Sequence, residues 1–305
     1  MKDKILISGA TGFLGKIILN ELIKLDYQLL TLGKKAVNDI CVDLTRGNFH
    51  IPNAGKIDLV IHAAGKAHSV PKTQEEVKFF FDVNFEGTKN LCNSLLSSQC
   101  RPRSFIFISS VSVYGVDSGE FITEDHPLNG NTPYAQSKIM AEKWLHQWSN
   151  ENNITLSILR LPLVAGLNPP GNLGAMIKGI RSGRYVSIGK ANAKKSMIWA
   201  EDIAYIIPLL AQKGGVYNLT DGYHPSFGEL ELGIASILKK KPPKKITFNL
   251  ARVIAFLGGL VGNKSPINSD KLKKITSTLT FDDTKAKTML NWQPNQILNK
   301  LRYMI

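Results

Sequence analysis

A doubly wound parallel α/β sheet joined to a smaller C-terminal α/β lobe is the architecture this sequence predicts, and three observations predict it. An apolar strand, Ile5-Leu6-Ile7, runs directly into the glycine-spaced loop Gly9-Ala10-Thr11-Gly12-Phe13-Leu14-Gly15 and on into an amphipathic helix. Short β-branched or apolar runs then alternate with helical patterns through the first half of the chain, as in a sheet covered on both faces. After Leu161 the pattern changes: Pro162, Pro169-Pro170 and several glycines interrupt it, and shorter helices follow.

Taken in order, the first helix, Lys16 to Lys24, puts Ile17, Ile18, Leu22 and Leu25 on a core-facing stripe. The glycines before it permit a tight turn, a close backbone approach to a pyrophosphate, and packing of helix on strand. The helix start offers unpaired N–H groups and the positive end of its dipole to phosphates. A glycine trio between a strand and a helix is the context a dinucleotide site requires. Gly9, Thr11, Gly12, Phe13, Leu14 and Gly15 are therefore candidate cofactor contacts. Further strands are expected at Leu29–Leu32, Ile40–Val42, Leu59–His62, Phe105–Ser109 and Leu156–Leu159, with helices at Val77–Leu96 and Ala135–Asn150. Later helices are expected at Leu173–Arg181 and Phe227–Lys239. Ile198–Leu210 and Val216–Leu219 are expected to return to the sheet as a helix and a strand. This divides the chain into a dinucleotide-binding Rossmann domain, 1–165 with the return at 196–222, and a smaller lobe, 166–195 and 223–305. Ligands of such sheets sit at the carboxyl ends of the strands, so the residues just after each strand carry the most interest.

The 305 residues are 43% apolar and 8% aromatic, as in folded globular chains. No apolar run reaches the roughly 20 residues that span a bilayer, and the first apolar segment lacks the form of a signal peptide. Cys41, Cys92 and Cys100 show no metal or redox spacing, which points to a reducing compartment, the cytoplasm by default. The six histidines form no metal pair, and no metal is assigned. A net charge of +14 favours anionic partners. Much of it lies in Lys239-Lys240-Lys241, Lys244-Lys245 and Lys271 to Lys274, where a solvated face is the plain reading. No nucleic-acid module accompanies it, so a nucleic-acid partner is not expected. Residues 250–261 are apolar nearly all round; a buried helix of the small lobe is expected there, with an anionic membrane surface as the alternative.

The chemistry is concentrated in Ser110, Tyr134 and Lys138. Tyr134 and Lys138 are four apart, on one face of a helix, downstream of a strand that ends in Ser109-Ser110 and the turn Val113-Tyr114-Gly115. With the glycine loop, this set resembles the extended short-chain dehydrogenase/reductase superfamily, particularly its nucleotide-sugar epimerase/dehydratase branch. Further matching residues are Asp43-Leu44, His62-Ala63-Ala64-Gly65, and Asn84 with Gly87-Thr88. Asp282 to Lys287 and Leu290-Asn291-Trp292-Gln293-Pro294 resemble the family's closing segment, so the likeness covers nearly the whole chain.

The resemblance implies that Tyr134 takes the proton of a sugar hydroxyl while hydride leaves the same carbon for a nicotinamide. Ser110 would hydrogen-bond that oxygen, and Lys138 would bind the nicotinamide ribose. A free tyrosine titrates near pH 10; an adjacent Lys138 ammonium and a cationic ring would lower that. Asp43 fits an acceptor for the adenine amino group, or a loop-capping aspartate. Leu44, Ala63, Ala64, Gly65 and Pro162 join the cofactor set, and Asn84 looks like the family's helix-positioning asparagine. Two departures matter. At the end of the second strand, Leu32-Gly33-Lys34-Lys35 has no carboxylate for the ribose hydroxyls; Lys34 and Lys35 favour NADP over NAD. Between Ser110 and Tyr114, Val111 and Ser112 replace the carboxylates that a 4,6-dehydratase needs, which disfavours dehydration.

The substrate implied by the resemblance is a nucleoside-diphosphate sugar, with Ser110, Ser112, Tyr134, Asn172 and Lys195 as its contacts. Asn172 starts a helix, where an anion is favoured; Lys194-Lys195 stands where relatives use Arg. The expected activity is 4-epimerisation of a UDP-hexose or UDP-N-acetylhexosamine for surface polysaccharide. The alternative is NADPH-dependent reduction of a 4-keto-6-deoxy UDP-sugar, and a non-catalytic NADP-sensing role is a third. The resemblance also implies a homodimer.

Overall fold

The computed structural model describes residues 3–52, 55–67, 69–260 and 269–305. In it, β1 (Lys4–Ser8) enters the glycine loop and α1 (Phe13–Lys24) leaves it. Next come β2 (Gln28–Gly33), β3 (Ile40–Cys41) and β4 (Leu59–His62). α2 (Gln74–Phe81) runs through a π-helical turn, Asp82–Glu86, into α3 (Gly87–Ser97), so the single helix expected over Val77–Leu96 carries a local widening. β5 (Ser104–Ser110), β6 (Gly119–Ile122), α4 (Pro133–Glu151) and β7 (Thr155–Leu161) complete the first half.

β8 (Leu163–Ala165), α5 (Gly171–Arg181), β9 (Val186–Ile188), β10 (Met197–Trp199), α6 (Asp202–Lys213) and β11 (Gly215–Asn218) follow. The remainder comprises α7 (Phe227–Ile237), β12 (Lys244–Ile246), α8 (Phe248–Leu260), α9 (Ser269–Thr276), β13 (Leu279–Phe281), α10 (Thr284–Leu290) and α11 (Ile297–Lys300).

Seven parallel strands form the central sheet in the order β11-β7-β5-β4-β1-β2-β3. The order reverses between β1 and β4, which opens a crevice at their carboxyl ends. Because helices cover both faces, the inner strands are apolar on both sides. Ile5, Ile7, Ile106 and Leu159 pack with Ile18 and Leu22 of α1 and Ile203 and Ile207 of α6. Leu6, Val60, Phe105 and Phe107 pack with Leu91 of α3 and Leu145 of α4 on the opposite face. A separate cluster joins Met176 and Ile177 of α5 to Trp199, Ile234 and Leu301.

Three expectations are corrected. Leu25 is exposed because α1 ends at Lys24 and the chain turns back through Asp26, at φ 62°. Ile198 and Trp199 belong to a strand paired with Leu163–Ala165, and the following helix starts only at Asp202. Through Ala255, α8 buries Ala251 and Ala255 but exposes Leu250, Val253 and Ile254, so this part is not the buried helix expected; the side chains of 256–260 and residue Val261 lie outside the described residues. The closing segment is stitched to the end of β11. Thr220 Oγ1 donates to Asp283 Oδ2 (2.9 Å), Trp292 Nε1 donates to the Thr220 carbonyl (2.9 Å), and Lys287 pairs with Asp283 (2.7 Å).

Candidate functional site

The glycine loop is shaped by two contacts that exclude a side chain. A Cβ on Gly9, whose φ is +75°, would lie 2.5 Å from the Ala64 nitrogen, and one on Gly15 would lie 2.2 Å from the Gly9 carbonyl oxygen. Gly9 thus seats the loop against the end of β4, and Gly15 lets α1 close over it. Gly12 is the N-cap of α1; no side chain caps this end, and its first turn holds no acidic residue. Thr11 and Gly12 are exposed, while Phe13 and Leu14 are half-buried. An uncapped, unobstructed helix start at the switch point fits the pyrophosphate of a dinucleotide.

Directly beneath it lies a relay that sequence reasoning missed. His62, fully buried at the end of β4, meets Ser8 through Nδ1 and Thr88 Oγ1 (2.9 Å) through Nε2. Thr88 Oγ1 donates its own proton to the Asn84 carbonyl (2.7 Å), so it can only accept from His62. The imidazole therefore carries its proton on Nε2 and accepts from Ser8 Oγ. Burial first, and the Lys138 charge second, lower the His62 pKa from 6.5 to about 3. The sign follows: the unfolded chain binds a proton below pH 6.5 that the folded chain refuses, so stability is lost as pH falls through that window, at about 1.4 kcal/mol per unit. Urea unfolding of the parent and His62→Asn between pH 6.5 and 4.5 should therefore converge by about 2–3 kcal/mol. Parallel curves would mean that His62 is protonated in the folded protein.

The π-helical turn aims Asn84 away from its own helix. Its Oδ1 accepts from the Lys66 N–H (2.7 Å), and its Nδ2 donates to the Lys66 carbonyl (3.1 Å) and to Ser137 Oγ (2.9 Å). Ser137 Oγ donates in turn to the Tyr134 carbonyl (2.8 Å). One buried amide thus ties the chain after β4 to the first turn of α4, which Thr132 caps through the Ala135 N–H (3.2 Å).

Tyr134 is half-buried, with its ring edge-on to Phe80 at 6.2 Å between centroids. Ser110 Oγ accepts from the Ser112 N–H (3.2 Å) and lies close enough to the Tyr134 phenol to lower its pKa. Burial raises the Tyr134 pKa, and Ser110 alone opposes it. The expected lowering by Lys138 is not seen. The Lys138 ammonium is turned to the Ile108 carbonyl (2.8 Å) and stands 4.4 Å from the Phe107 ring centroid. Burial pulls it down to about 8, against the pull of Glu142. Gly65 leaves it room: a Cβ there would lie 3.1 Å from Asn84 Oδ1 and 3.4 Å from Lys138 Nζ.

Beneath the Ser110–Tyr114 turn lies a buried ion pair. Arg160 Nη2 bonds Glu142 Oε2 (2.8 Å), Arg160 Nη1 donates to the Glu124 carbonyl (2.9 Å), and Ser109 Oγ donates to Glu142. Tyr114 donates to Asn218 Oδ1 (2.7 Å), which links the turn to β11. Glu142 was findable: it continues the 134, 138 stripe by four more residues, a carboxylate on a face that turns inward.

The other candidates are spread more widely. Asp43 caps a 3₁₀ turn, accepting from the Thr45 N–H (3.0 Å) and hydroxyl (2.8 Å), and pairs with Lys34 (3.1 Å). Burial works to raise its pKa, but these bonds outweigh it and hold the carboxyl low. Lys34 thereby meets a carboxylate, and both Lys34 and Lys35 are exposed. Leu44 turns into the core beside Gly87. Ala63, Ala64 and Pro162 are half-buried. Ser112 Oγ is buried without a hydrogen-bond partner, an acceptor and donor left for a ligand. Asn172 is exposed on the uncapped first turn of α5. Lys195, half-buried beside β13, is pulled down to about 8 by burial, aided by Lys274 and opposed by Asp117. Among the described residues no cluster of His, Cys, Asp or Glu could hold a metal. A cavity of about 450 Å³ lined by Ile5, Tyr27, Leu59 and Arg103 opens at the amino ends of the strands, opposite these residues.

Residues 5–220 match the sequence profile of the NAD dependent epimerase/dehydratase family. The chain is 28% identical to an N-acetyl-α-D-glucosaminyl-diphospho-ditrans,octacis-undecaprenol 4-epimerase of Escherichia coli O157:H7, over 94% of this chain and 89% of that protein. It is also 28% identical to a UDP-glucose 4-epimerase of Vibrio cholerae, over 98% and 93% respectively. The crystal structure of a UDP-glucose 4-epimerase of Thermotoga maritima with UDP-glucose shares the fold, with a TM-score of 0.76, 20% identity, and coverage of 99% of this chain and 97% of that one.

Proposed function

The chain belongs to the NAD dependent epimerase/dehydratase family, and from that premise we propose that it inverts C4 of a UDP-hexose or UDP-N-acetylhexosamine destined for surface polysaccharide. The observation that carries the reading is the placing of Ser110, whose Oγ accepts from the Ser112 N–H, beside the Tyr134 phenol at the carboxyl edge of the sheet. A bound nicotinamide supplies the hydride acceptor and donor. Tyr134 takes the proton of the C4 hydroxyl and returns it, while Ser110 donates to that oxygen and fixes its place. Lys138, already held by the Ile108 carbonyl, holds the ribose of the cofactor and keeps positive charge at the base of the site. With Val111 and Ser112 in the turn, no acid–base pair for dehydration is present at those positions.

The names of the two relatives differ in what carries the sugar, diphospho-undecaprenol in one and UDP in the other. A sugar on a diphosphate is common to both. The lobe formed by 166–195 and 223–305 is assigned to that diphosphate, with Asn172 and Lys195 as its contacts, in a cytoplasmic homodimer. Mass spectrometry of nucleotide released on denaturation, with conversion of UDP-glucose and UDP-N-acetylglucosamine, tests the reading. Retained cofactor and a C4-epimeric product support it; an empty protein that oxidises NADPH with a 4-keto UDP-sugar replaces it with the reductase reading.

That second reading is favoured by Gly33-Lys34-Lys35, where no carboxylate meets the ribose hydroxyls. Lys34→Asp should shift the ratio of NADP to NAD dissociation constants at least about tenfold towards NAD, the worth of one charged hydrogen bond. An unchanged ratio would show that Lys34 serves Asp43 alone.

A further inference from the structure

α8 is amphipathic the wrong way round for a helix of a protein core. Through Ala255 its inner face is alanine: Ala251 and Ala255 pack on Ile188 and Leu272. Its outer face is branched and apolar, with Leu250, Val253 and Ile254, three and four apart, exposed by 49%, 55% and 41%, and Phe248 exposed at its start. The charge that flanks this face in the sequence has one sign. From Lys239 to Ala255 the sequence carries six basic residues and no acidic one. All six are exposed; on α9, which packs beside α8, Lys274 is exposed and Lys273 pairs with Asp117 (3.1 Å). An exposed apolar stripe flanked by lysines is out of place in water alone, and it combines the two forces that hold a helix in the plane of an anionic bilayer.

At 13 residues, α8 is about 20 Å long, too short to cross a bilayer. Among the described residues no helix is long and apolar enough to do so. We propose that α8 and its flanking lysines form a peripheral docking surface for anionic phospholipid, with Leu250, Val253 and Ile254 entering the headgroup boundary and Lys239–Lys241, Lys244 and Lys245 facing the phosphates. Docking would hold the smaller lobe at the membrane, where sugars carried on lipid diphosphates reside. The surface is read by partition and not by turnover, so it stands or falls separately from the epimerase reading.

The test is sedimentation of the full chain with vesicles of phosphatidylglycerol and phosphatidylcholine, or of phosphatidylcholine alone, at 0.1 M and 1 M salt. The expected result is at least about tenfold stronger partition onto the anionic vesicles at low salt, most of it lost at high salt. Leu250→Glu/Val253→Glu should abolish partition while thermal unfolding and cofactor binding match the parent, and Lys244→Glu/Lys245→Glu should weaken it. Equal partition onto both vesicles overturns the proposal, as does unchanged binding by the Leu250→Glu/Val253→Glu variant. Self-association that this variant abolishes, without vesicle binding, would assign the face to a second copy of the chain.

Discussion

Tyr134→Phe should lower kcat by about 10²–10⁴, the worth of a positioned proton-transfer group, and leave dinucleotide binding unchanged. The substitution removes one oxygen. The ring keeps its edge contact with Phe80, and the Tyr134 carbonyl keeps the Ser137 bond that fixes the helix start. Lys138 is held by Ile108 and Phe107 and does not depend on the phenol. Single-turnover hydride transfer and a separate cofactor titration check both halves. Retained turnover would leave Tyr134 a packing residue; full biological activity with turnover lost would restore the sensing reading. An equal loss of cofactor affinity would mean that the phenol holds the dinucleotide and does not move a proton. Burial raises the Tyr134 pKa, so the residue is a poor base until a ligand adds positive charge beside it. Its activation belongs to the assembled complex.

Glu142→Ala should cost about 3–5 kcal/mol of stability, since it leaves Arg160 buried without its counter-charge. The two side chains are 2% and 6% exposed, so solvent cannot replace the lost partner. Urea unfolding measures the loss. Glu142→Leu/Arg160→Met, which removes both charges and fills the space, should recover most of it. A double variant as unstable as the single one would show that the Ser109, Tyr114 and Glu124 contacts, and not the ion pair, hold the turn. Glu142 also raises the Lys138 pKa. Its removal should move that titration below about 8, read as an earlier alkaline limb in the pH profile of dinucleotide binding.

What the sequence revealed and what it hid divide along physical lines. The glycine loop and the 134, 138 pair were legible because each is a local pattern with a geometric cause: steric room at Gly9 and Gly15, and the pitch of a helix. Asn84 was legible by family likeness, but the π-helical turn that aims it is not, because one extra residue per turn leaves no trace in periodicity. His62 reads as one more residue of an apolar strand; its tautomer is set by Ser8, 54 positions away, and Thr88, 26 positions away. Ile198 and Trp199 fit a helical stripe as well as a strand, and only pairing with Leu163–Ala165 decides between them. α8 misled because apolar residues are read as inward when the true inner face is alanine. Lys138 does not lower the Tyr134 pKa because its ammonium faces a carbonyl and a ring; the cationic ring on which the expected lowering also rests belongs to the assembled complex.

The last strand of the sheet brings a constraint on biosynthesis. β11 pairs with β7 across more than 50 residues of intervening chain, and the residue beyond its far end, Thr220, is fastened by Asp283 and Trp292. A nascent chain leaving the ribosome thus holds β7 as an open edge until the segment after it has emerged, and the fastening waits for nearly the whole polypeptide. Parallel sheets are slow to form for this reason, and an unpaired apolar edge is the species chaperones must shield. Stalling translation between residues 165 and 215 should accordingly yield an aggregation-prone intermediate.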